Sequence, residues 1–191
     1  MAIPPLSLHY SITDPSIDGY SAGQRWLSQL DGSFADQSAY KERLEKGDVF
    51  VYQVTNIENA AGEGQLHYGL AVLMPGKVGK EYFLTRGHIH AWRPAAEVYI
   101  CLSGKGMMLL ENVETGVSSA VPLTPQDVVY VPGNTIHRTV NVGDVPLVYW
   151  GILSSEAGHD YEIVKQKNFS QVIIEHQGQP LVIRREDFHI Y

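Results

Sequence analysis

Three histidines and one glutamate are spaced so that they could bind a single metal ion. His88 and His90 are two residues apart, Glu97 follows seven residues later, and His137 lies much further along the chain. Side chains alternate between faces along a β-strand, so His88 and His90 project together and Ile89 faces the other way. Three imidazoles and a carboxylate suit iron, manganese, nickel, cobalt or zinc and leave open positions for a substrate. We predict one metal site, against the alternative that the histidine pair is a chance surface feature.

The strand that begins at Glu97 predicts further side chains on the same face. Alternation brings Glu97, Tyr99 and Cys101 together and turns the apolar residues between them the other way. Tyr99 is then either a substrate contact or a packing residue of the interior. Because the histidine-rich set is already complete, we expect Cys101 to be a core residue rather than a ligand.

The elements that must position these side chains are mostly short strands. From Val49 onward, β-branched and aromatic runs alternate with turn residues. These runs predict strands near 49–57, 66–74, 81–89, 96–102, 106–113, 117–122, 127–131, 135–142, 146–153 and 171–175. About ten strands with no helices between them indicate an all-β antiparallel barrel or double-sheet roll.

Helical signals appear only near the N-terminus. An irregular or extended arm is predicted up to about residue 20, with prolines at Pro4 and Pro5. A short helix is predicted over Ala22–Leu30 and a stronger one over Asp36–Lys46, with Asp36 as its N-cap and a glycine after its end. We expect one domain over 1–191, made of an arm and helices at about 1–48, a barrel at about 49–175 and a C-terminal extension at 176–191.

Charge and cysteine content narrow the function classes. The 191 residues carry a net charge of −7, which disfavours a nucleic-acid binder because such proteins present basic patches. No run of 18 apolar residues predicts a membrane span, and the N-terminus does not look like a signal peptide. The single cysteine, Cys101, excludes an intrachain disulfide. We expect a cytoplasmic protein.

Two stretches together resemble the cupin superfamily of metal-binding jelly-roll barrels. They are His88-x-His90-x6-Glu97-x6-Gly104 and Pro132-x4-His137-x3-Asn141. The six-residue gap before Glu97 is wider than in most cupins. Asn134 stands where a glycine is usual, and asparagine tolerates the left-handed backbone of such a turn. The resemblance implies a cupin double-stranded β-helix.

Longer stretches resemble one branch of the cupins, the cupin-type glucose-6-phosphate isomerases. They are 75–110, 130–147 and 156–161, together with 27–54, which is similar to that family's helical lead-in. The resemblance covers roughly residues 20 to 175. It implies an enzyme that interconverts glucose 6-phosphate and fructose 6-phosphate, and it leaves a mannose 6-phosphate side activity open.

The resemblance also implies site residues, in three groups. The metal ligands would be His88, His90, Glu97 and His137. The substrate phosphate would be held at Tyr52, Thr85 and Gly87. Residues near the sugar would be Tyr99, His159 and Tyr161. Two positions depart from the family, since Ala71 replaces a phosphate-binding threonine and Leu153 a phosphate-binding tyrosine. Arg86 or Lys80 could supply compensating charge.

The implied chemistry keeps several alternatives. Glu97 is either the proton shuttle between C1 and C2 or, in a hydride shift, only a ligand. His159 either assists ring opening or is an ordinary loop histidine.

The resemblance implies one divalent metal per subunit, Fe²⁺ first and Zn²⁺, Mn²⁺ or Ni²⁺ next, and a homodimer. Rival interpretations are another cupin enzyme such as a dioxygenase, and a non-catalytic sugar-binding cupin. The remaining histidines, at positions 9, 67, 176 and 189, are expected to be surface or core residues.

Overall fold

Short strands dominate residues 6–191, the part of the chain that the computed structural model describes. Pro4 and Pro5 of the predicted arm therefore lie outside the described residues. The strands are β1 Tyr10–Ser11, β2 Ser16–Ile17, β3 Gly23–Trp26, β4 Phe50–Ile57, β5 Leu66–Leu73, β6 Lys77–Val78, β7 Glu81–Tyr82, β8 Glu97–Ser103, β9 Gly106–Asn112, β10 Ser118–Leu123, β11 Val128–Val131, β12 Thr135–Asn141, β13 Leu147–Ser154, β14 Gln171–His176 and β15 Gln179–Arg184. The helices are α1 Gln37–Glu45 and α2 Glu162–Lys167, with 3-10 turns at Leu27–Leu30 and Arg185–Ile190.

The strands form antiparallel sheets. The largest has six strands in the order β11-β8-β13-β5-β4-β3, and it faces a three-stranded sheet in the order β10-β9-β12. A four-stranded sheet, β15-β14-β7-β6, and the β1-β2 hairpin complete the set. Since inward residues of the six-stranded and three-stranded sheets share one apolar core, the fold is the all-β double-sheet roll that the sequence predicts.

Helix α1 begins and ends where the sequence predicts. The Asp36 side chain accepts a hydrogen bond from the Ala39 N–H, which satisfies one of the free donors of the first turn. After the helix, Gly47 has a φ of 114°, a backbone conformation that glycine adopts at little cost. Helix α1 then contacts β6, so it closes one side of the four-stranded sheet.

Two predictions about secondary-structure elements are wrong. The helix predicted over Ala22–Leu30 is the edge strand β3 followed by a single 3-10 turn, because residues 23–26 pair with β4. A helix, α2, does interrupt the strands, between β13 and β14. Within the predicted C-terminal extension, β15 pairs with β14 along its length. The single-domain boundaries stay a prediction.

The strand predicted over 81–89 is also wrong for most of its length. Only Glu81–Tyr82 forms a strand, and single bridges follow at Leu84, His88 and Ile89. The segment leaves the ladder at Gly87, whose φ is 80°. A Cβ there would lie 2.9 Å from the Phe169 ring and 3.0 Å from the His137 carbonyl oxygen, so the backbone passes too close for any side chain. Residues 85–87 are thereby free to line a cavity.

Candidate metal centre and substrate cavity

His88, His90, Glu97 and His137 converge from three separate segments. Each offers one ligand atom, and these atoms all lie within 4.8 Å of one another. Glu97 opens β8 and His137 lies on β12. His88 is fixed beside His137 by a pair of backbone hydrogen bonds of 3.1 and 2.9 Å. The four residues that the sequence predicts as ligands are thus brought together.

Backbone carbonyls orient two of the histidine rings. The Nδ1 atoms of His90 and His137 lie 2.9 and 3.0 Å from the carbonyl oxygens of Ala95 and Thr135. Their Nε2 atoms lie 3.2 and 3.0 Å from the Glu97 Oε2 atom. The His88 Nε2 atom is 3.8 Å from the same oxygen. Carbonyls behind the rings therefore direct the Nε2 atoms toward the carboxylate.

This arrangement fits a bound cation. A neutral imidazole that donates from Nδ1 to a carbonyl carries a lone pair on Nε2, and that lone pair would repel a carboxylate oxygen. The Nε2 atom of His88 is buried and has no hydrogen-bond partner among residues 6–191. A divalent metal accepts all of these lone pairs, and the nitrogen and oxygen donors are of the type that such metals take.

The ionisation states also suit ligation. Burial lowers the pKa of His88 well below its usual value, so the ring is neutral at pH 7. Burial raises the pKa of the Glu97 carboxyl, but the His137 and His90 rings, whose Nε2 atoms lie 3.0 and 3.2 Å away, outweigh burial, and the pKa is lowered. A neutral imidazole and an ionised carboxylate are the forms that bind a metal.

Gly151 on β13 makes room for the Glu97 carboxylate. A Cβ at position 151 would lie 2.7 Å from the Glu97 Oε1 atom, a distance that real Cβ atoms do not show. In the register of β13 and β8, Gly151 pairs with Tyr99, and Leu153, two residues further along β13, pairs with Glu97. The missing side chain therefore leaves a place in the six-stranded sheet for one oxygen of a ligand.

A cavity of about 470 Å³ opens beside three of the four candidate ligands, His88, Glu97 and His137. Its lining includes every residue that the sequence places at the phosphate or the sugar: Tyr52, Thr85, Gly87, Tyr99, His159 and Tyr161. Ala71 and Leu153, the two departures from the family pattern, also line it. Cys101 is buried in the apolar core and is not one of the grouped ligands.

The segment that carries His159 is anchored beside the ligands. Ile89 and Asp160 exchange two backbone hydrogen bonds, and the Arg93 guanidinium bonds the Asp160 carboxylate at 2.6 Å. The His159 ring centroid is 4.4 Å from that of His88, and the Tyr161 ring stacks on His159 at 6.0 Å. Partial burial lowers the pKa of His159, so its ring is neutral at pH 7.

The side of the cavity next to β3 and β4, away from β8 in the sheet, carries two arginines. Arg25, Tyr52 and Arg86 line it. Burial raises the pKa of the Tyr52 hydroxyl, although the Arg86 backbone and the charges of Arg25 and Arg86 act against this rise, so the hydroxyl stays protonated at neutral pH. Lys80 is not part of the lining, because its ammonium group bonds the Tyr191 carbonyl instead. Of the two residues considered as sources of compensating charge, only Arg86 reaches the cavity.

Sequence reasoning missed several cavity residues, among them His67, Arg25 and Arg138. His67, expected to be a surface or core residue, lines the cavity and bonds the Ala60 carbonyl at 2.9 Å. Its position two and four residues before Gly69 and Ala71 on β5 is the period-two signal that could have found it. Arg25 was missed because its strand was predicted as a helix. Arg138 gave no signal beyond its place next to His137.

Comparison with known proteins gives a consistent family. A family model described as "Glucose-6-phosphate isomerase (GPI)" matches residues 24–190. The glucose-6-phosphate isomerase of Pyrococcus horikoshii is 44% identical over 179 residues, which cover 94% of each chain. The glucose-6-phosphate isomerase of Pyrococcus furiosus is 46% identical over 167 residues, 87% of this chain and 88% of that protein.

One solved structure, of an oxalate oxidase, resembles the fold. Its TM-score is 0.50 at 13% sequence identity, and the match covers 59% of this chain and 56% of that one. At this identity the likeness concerns the fold alone. Together with the antiparallel topology, it confirms the cupin fold predicted from the sequence.

Proposed function

The chain belongs to the glucose-6-phosphate isomerase family, and we propose that it interconverts glucose 6-phosphate and fructose 6-phosphate in the cavity beside its candidate metal ligands. One observation carries this proposal. The cavity joins a mostly buried set of candidate metal ligands to a side that carries two arginines and a tyrosine hydroxyl. A phosphorylated sugar needs both, because its reacting oxygens lie at one terminus and its phosphate at the other.

His88, His90, Glu97 and His137 would hold one divalent metal. When bound, such a metal polarises a carbonyl and stabilises negative charge on the neighbouring oxygen. We propose Fe²⁺, with Zn²⁺, Mn²⁺ and Ni²⁺ as the alternatives for the same donor set.

Glu97 is the proposed base that carries the proton between C1 and C2 of the sugar. Its Oε2 atom faces the histidines, whereas Oε1 lies beside Gly151. The lowered pKa of Glu97 keeps the carboxylate ionised at neutral pH, which is the form a base must have before it accepts a proton. Burial and the nearby Glu97 charge raise the pKa of Tyr99 well above its usual value, so its hydroxyl remains a donor toward the substrate.

His159 and Tyr161 would act on the sugar ring. A neutral His159 ring has one donor and one acceptor nitrogen, as ring opening requires, and its anchored segment holds it close to the ligands. Tyr161 stacks on His159 and lines the cavity beside it. The proposed role of His159 is proton transfer at the oxygen of the sugar ring. The proposed role of Tyr161 is to orient the His159 imidazole that transfers this proton.

The phosphate would lie at the opposite end. Tyr52 offers a protonated hydroxyl, and the Thr85 Oγ1 atom is held by the Thr139 N–H at 3.1 Å. Arg25 and Arg86 add positive charge to a cavity in which Ala71 and Leu153 offer no hydroxyl. Charge thus compensates for two lost donors.

We also propose that the protein works in the cytoplasm, in glycolysis and gluconeogenesis, because its proposed substrates are intracellular sugar phosphates.

We further propose that the protein is a homodimer. A strip of exposed apolar side chains on β11 supports the dimer. Val128 and Tyr130 on the edge strand β11 are 64% and 63% exposed, and they pair with the half-buried Ile100 and Val98. A sedimentation mass of one chain rather than two would exclude the dimer. No helix among the described residues has the length and apolar character needed to cross a membrane.

A coupled assay of fructose 6-phosphate conversion tests the function. We expect turnover that is lost on chelation and returns when Fe²⁺, Zn²⁺, Mn²⁺ or Ni²⁺ is restored one at a time, with mannose 6-phosphate as a comparison substrate. Glu97→Gln is expected to lower kcat by about a thousandfold or more, since a ligand and a base are lost together. The exposed Glu114→Gln serves as the control. Absence of turnover with every metal would contradict the proposed function.

A further inference from the structure

Arg138 is a fully buried charge directly behind the proposed phosphate end. It follows His137 on β12 and is only 1% exposed. Its Nη2 atom donates to the Arg86 carbonyl oxygen at 2.5 Å, and its Nη1 atom to the Ser33 carbonyl oxygen at 3.3 Å. The guanidinium also packs over the Phe169 ring at 4.2 Å. These contacts fix the group from three sides.

The bond to Arg86 determines which way the next N–H points. The Arg86 carbonyl and the Gly87 N–H belong to one peptide unit, and in a trans peptide the two groups point in opposite directions. Residues 6–191 contain no cis peptide bond. Because Arg138 holds the carbonyl on its own side, the Gly87 N–H is turned away from Arg138.

The Gly87 N–H is a free donor at the cavity. Gly87 lines the cavity, and its N–H has no acceptor among residues 6–191. The close approach also requires a glycine, since a Cβ at position 87 would lie 3.1 Å from the Arg138 Cβ atom. Arg138 and Gly87 are therefore in direct contact, and the donor between them and the cavity is left for a ligand.

The guanidinium brings charge that its surroundings do not cancel. An arginine guanidinium stays protonated in proteins, so Arg138 carries its charge at neutral pH. The carboxylate that faces it, Glu81, has its pKa raised by burial to about 7, and a second cation, Arg185, lies nearby. The Arg138 Nε atom is buried without an acceptor in the described part of the chain. A positive potential behind a backbone donor favours an anion in front of it.

We propose that Arg138 is a positioning residue for the substrate phosphate: it holds the Arg86–Gly87 peptide so that the Gly87 N–H faces the anion, and it supplies buried positive charge behind that donor. The inference rests on the proposed function for the presence of a phosphate in this cavity. It also gives Arg138 a specific share in compensating for Ala71 and Leu153, since a fixed peptide and a buried charge replace part of what two hydroxyls would give.

Titration with inorganic phosphate tests this role without turnover. Arg138→Met removes both the charge and the bond to the Arg86 carbonyl, and Arg138→Lys keeps the charge but loses the planar fork. We expect the Kd for phosphate, measured by calorimetry on metal-loaded and on metal-free protein, to rise about tenfold or more in the Met variant and less in the Lys variant. Arg184→Met, an exposed arginine outside the cavity, is the matched control and is expected to leave this Kd unchanged.

Kinetics and metal content separate positioning from a structural defect. The KM for fructose 6-phosphate is expected to rise by the same factor as the phosphate Kd, with kcat within about threefold and bound metal per chain unchanged. An unchanged phosphate Kd in a folded variant overturns the inference. So does a loss of metal and kcat at constant KM, because Arg138 would then act through His137. If the Met variant does not fold, the Lys variant decides in the same way.

The two proposals fail differently. A wild-type protein that binds phosphate at this site but turns over no sugar phosphate contradicts the proposed function and leaves the role of Arg138 standing. A wild-type isomerase whose Arg138 variants bind phosphate normally contradicts only the present inference.

Discussion

The two ends of the cavity are built in different ways. At the metal end, the four ligand atoms lie within 4.8 Å of one another, and three of the four residues are buried. At the proposed phosphate end, Tyr52, Thr85 and Arg86 are only partly buried, and Arg25 is exposed on an edge strand. The candidate ligands are close together and mostly buried, whereas the proposed phosphate residues are spread over β3, β4 and an irregular segment.

The two ends differ in which contacts fix the geometry of their side chains. The ligand geometry comes from strand register and from the carbonyls behind the histidine rings. The phosphate end depends on contacts from outside the barrel strands, since Arg86 bonds the Gln29 carbonyl and Arg138 bonds the Ser33 carbonyl. Damage at the metal end should therefore affect the chemical step, and damage at the phosphate end should mainly affect substrate binding.

Gly151→Ala is expected to weaken metal binding while all four candidate ligands are kept. The added Cβ would displace the Glu97 Oε1 atom, whose distance from that position is 2.7 Å. We expect metal affinity to fall about tenfold to a hundredfold and kcat to fall with it. Because the displaced atom is the end of a flexible side chain, the midpoint of thermal unfolding of the metal-free protein should change little.

Gly23→Ala is the control for the Gly151 variant. Its Cβ would meet only the Val54 carbonyl oxygen at 3.7 Å, an ordinary contact in the same six-stranded sheet. Metal content measured after dialysis should match that of the wild type in this control. Full metal occupancy in Gly151→Ala would show that the carboxylate does not need the space beside Gly151.

Thr85→Val tests the phosphate end and is expected to have a smaller, different effect. It removes a hydroxyl but keeps the shape, so KM for fructose 6-phosphate should rise about tenfold while kcat stays within about threefold. Thr55→Val is the matched control, because Thr55 is buried on β4 and is absent from the cavity lining. A fall in kcat with unchanged KM would remove the distinction between the two ends.

Glu81 is expected to affect stability rather than catalysis, because it lies in the layer behind the proposed phosphate end. Its Oε2 atom accepts the Ala35 N–H at 2.6 Å, and burial raises its pKa from 4.5 to about 7. Between these values the folded protein keeps a proton that the unfolded chain has lost, so stability falls as pH rises and is level above about pH 7. Each pKa unit corresponds to about 1.4 kcal/mol.

Urea unfolding at several pH values checks this dependence. The wild type is expected to lose stability through Glu81 as pH rises from about 4.5 to 7. Glu81→Gln lacks the titrating group, so its free energy of unfolding should increase relative to that of the wild type over this range. Glu114→Gln, an exposed control, should follow the wild type throughout. Parallel curves for Glu81→Gln and the wild type would contradict the assignment of this titration to Glu81.

Most strands could be predicted from the sequence because their periodicity is local. Strands β4, β5 and β8 to β14 lie within one or two residues of their predicted ranges. The failures share a cause. Residues 23–26 form a strand because β4 supplies the pairing. Residues 85–87 lie outside the named strands, and Gly87 there passes close to Phe169 and His137. In both places distant contacts override the local pattern.

The sequence by itself determined the ligand types, their spacing and the resemblance that led to the family, because two short motifs hold all four ligands. It also gave the all-β fold through alternation and turn residues. Only the tertiary structure decided what surrounds these motifs. Gly151 beside Glu97, His67 and Arg25 in the cavity, and Arg138 behind Gly87 are neighbours in space but far apart in the chain. Such pairings depend on how sheets and connecting segments pack together, which a local residue pattern does not encode.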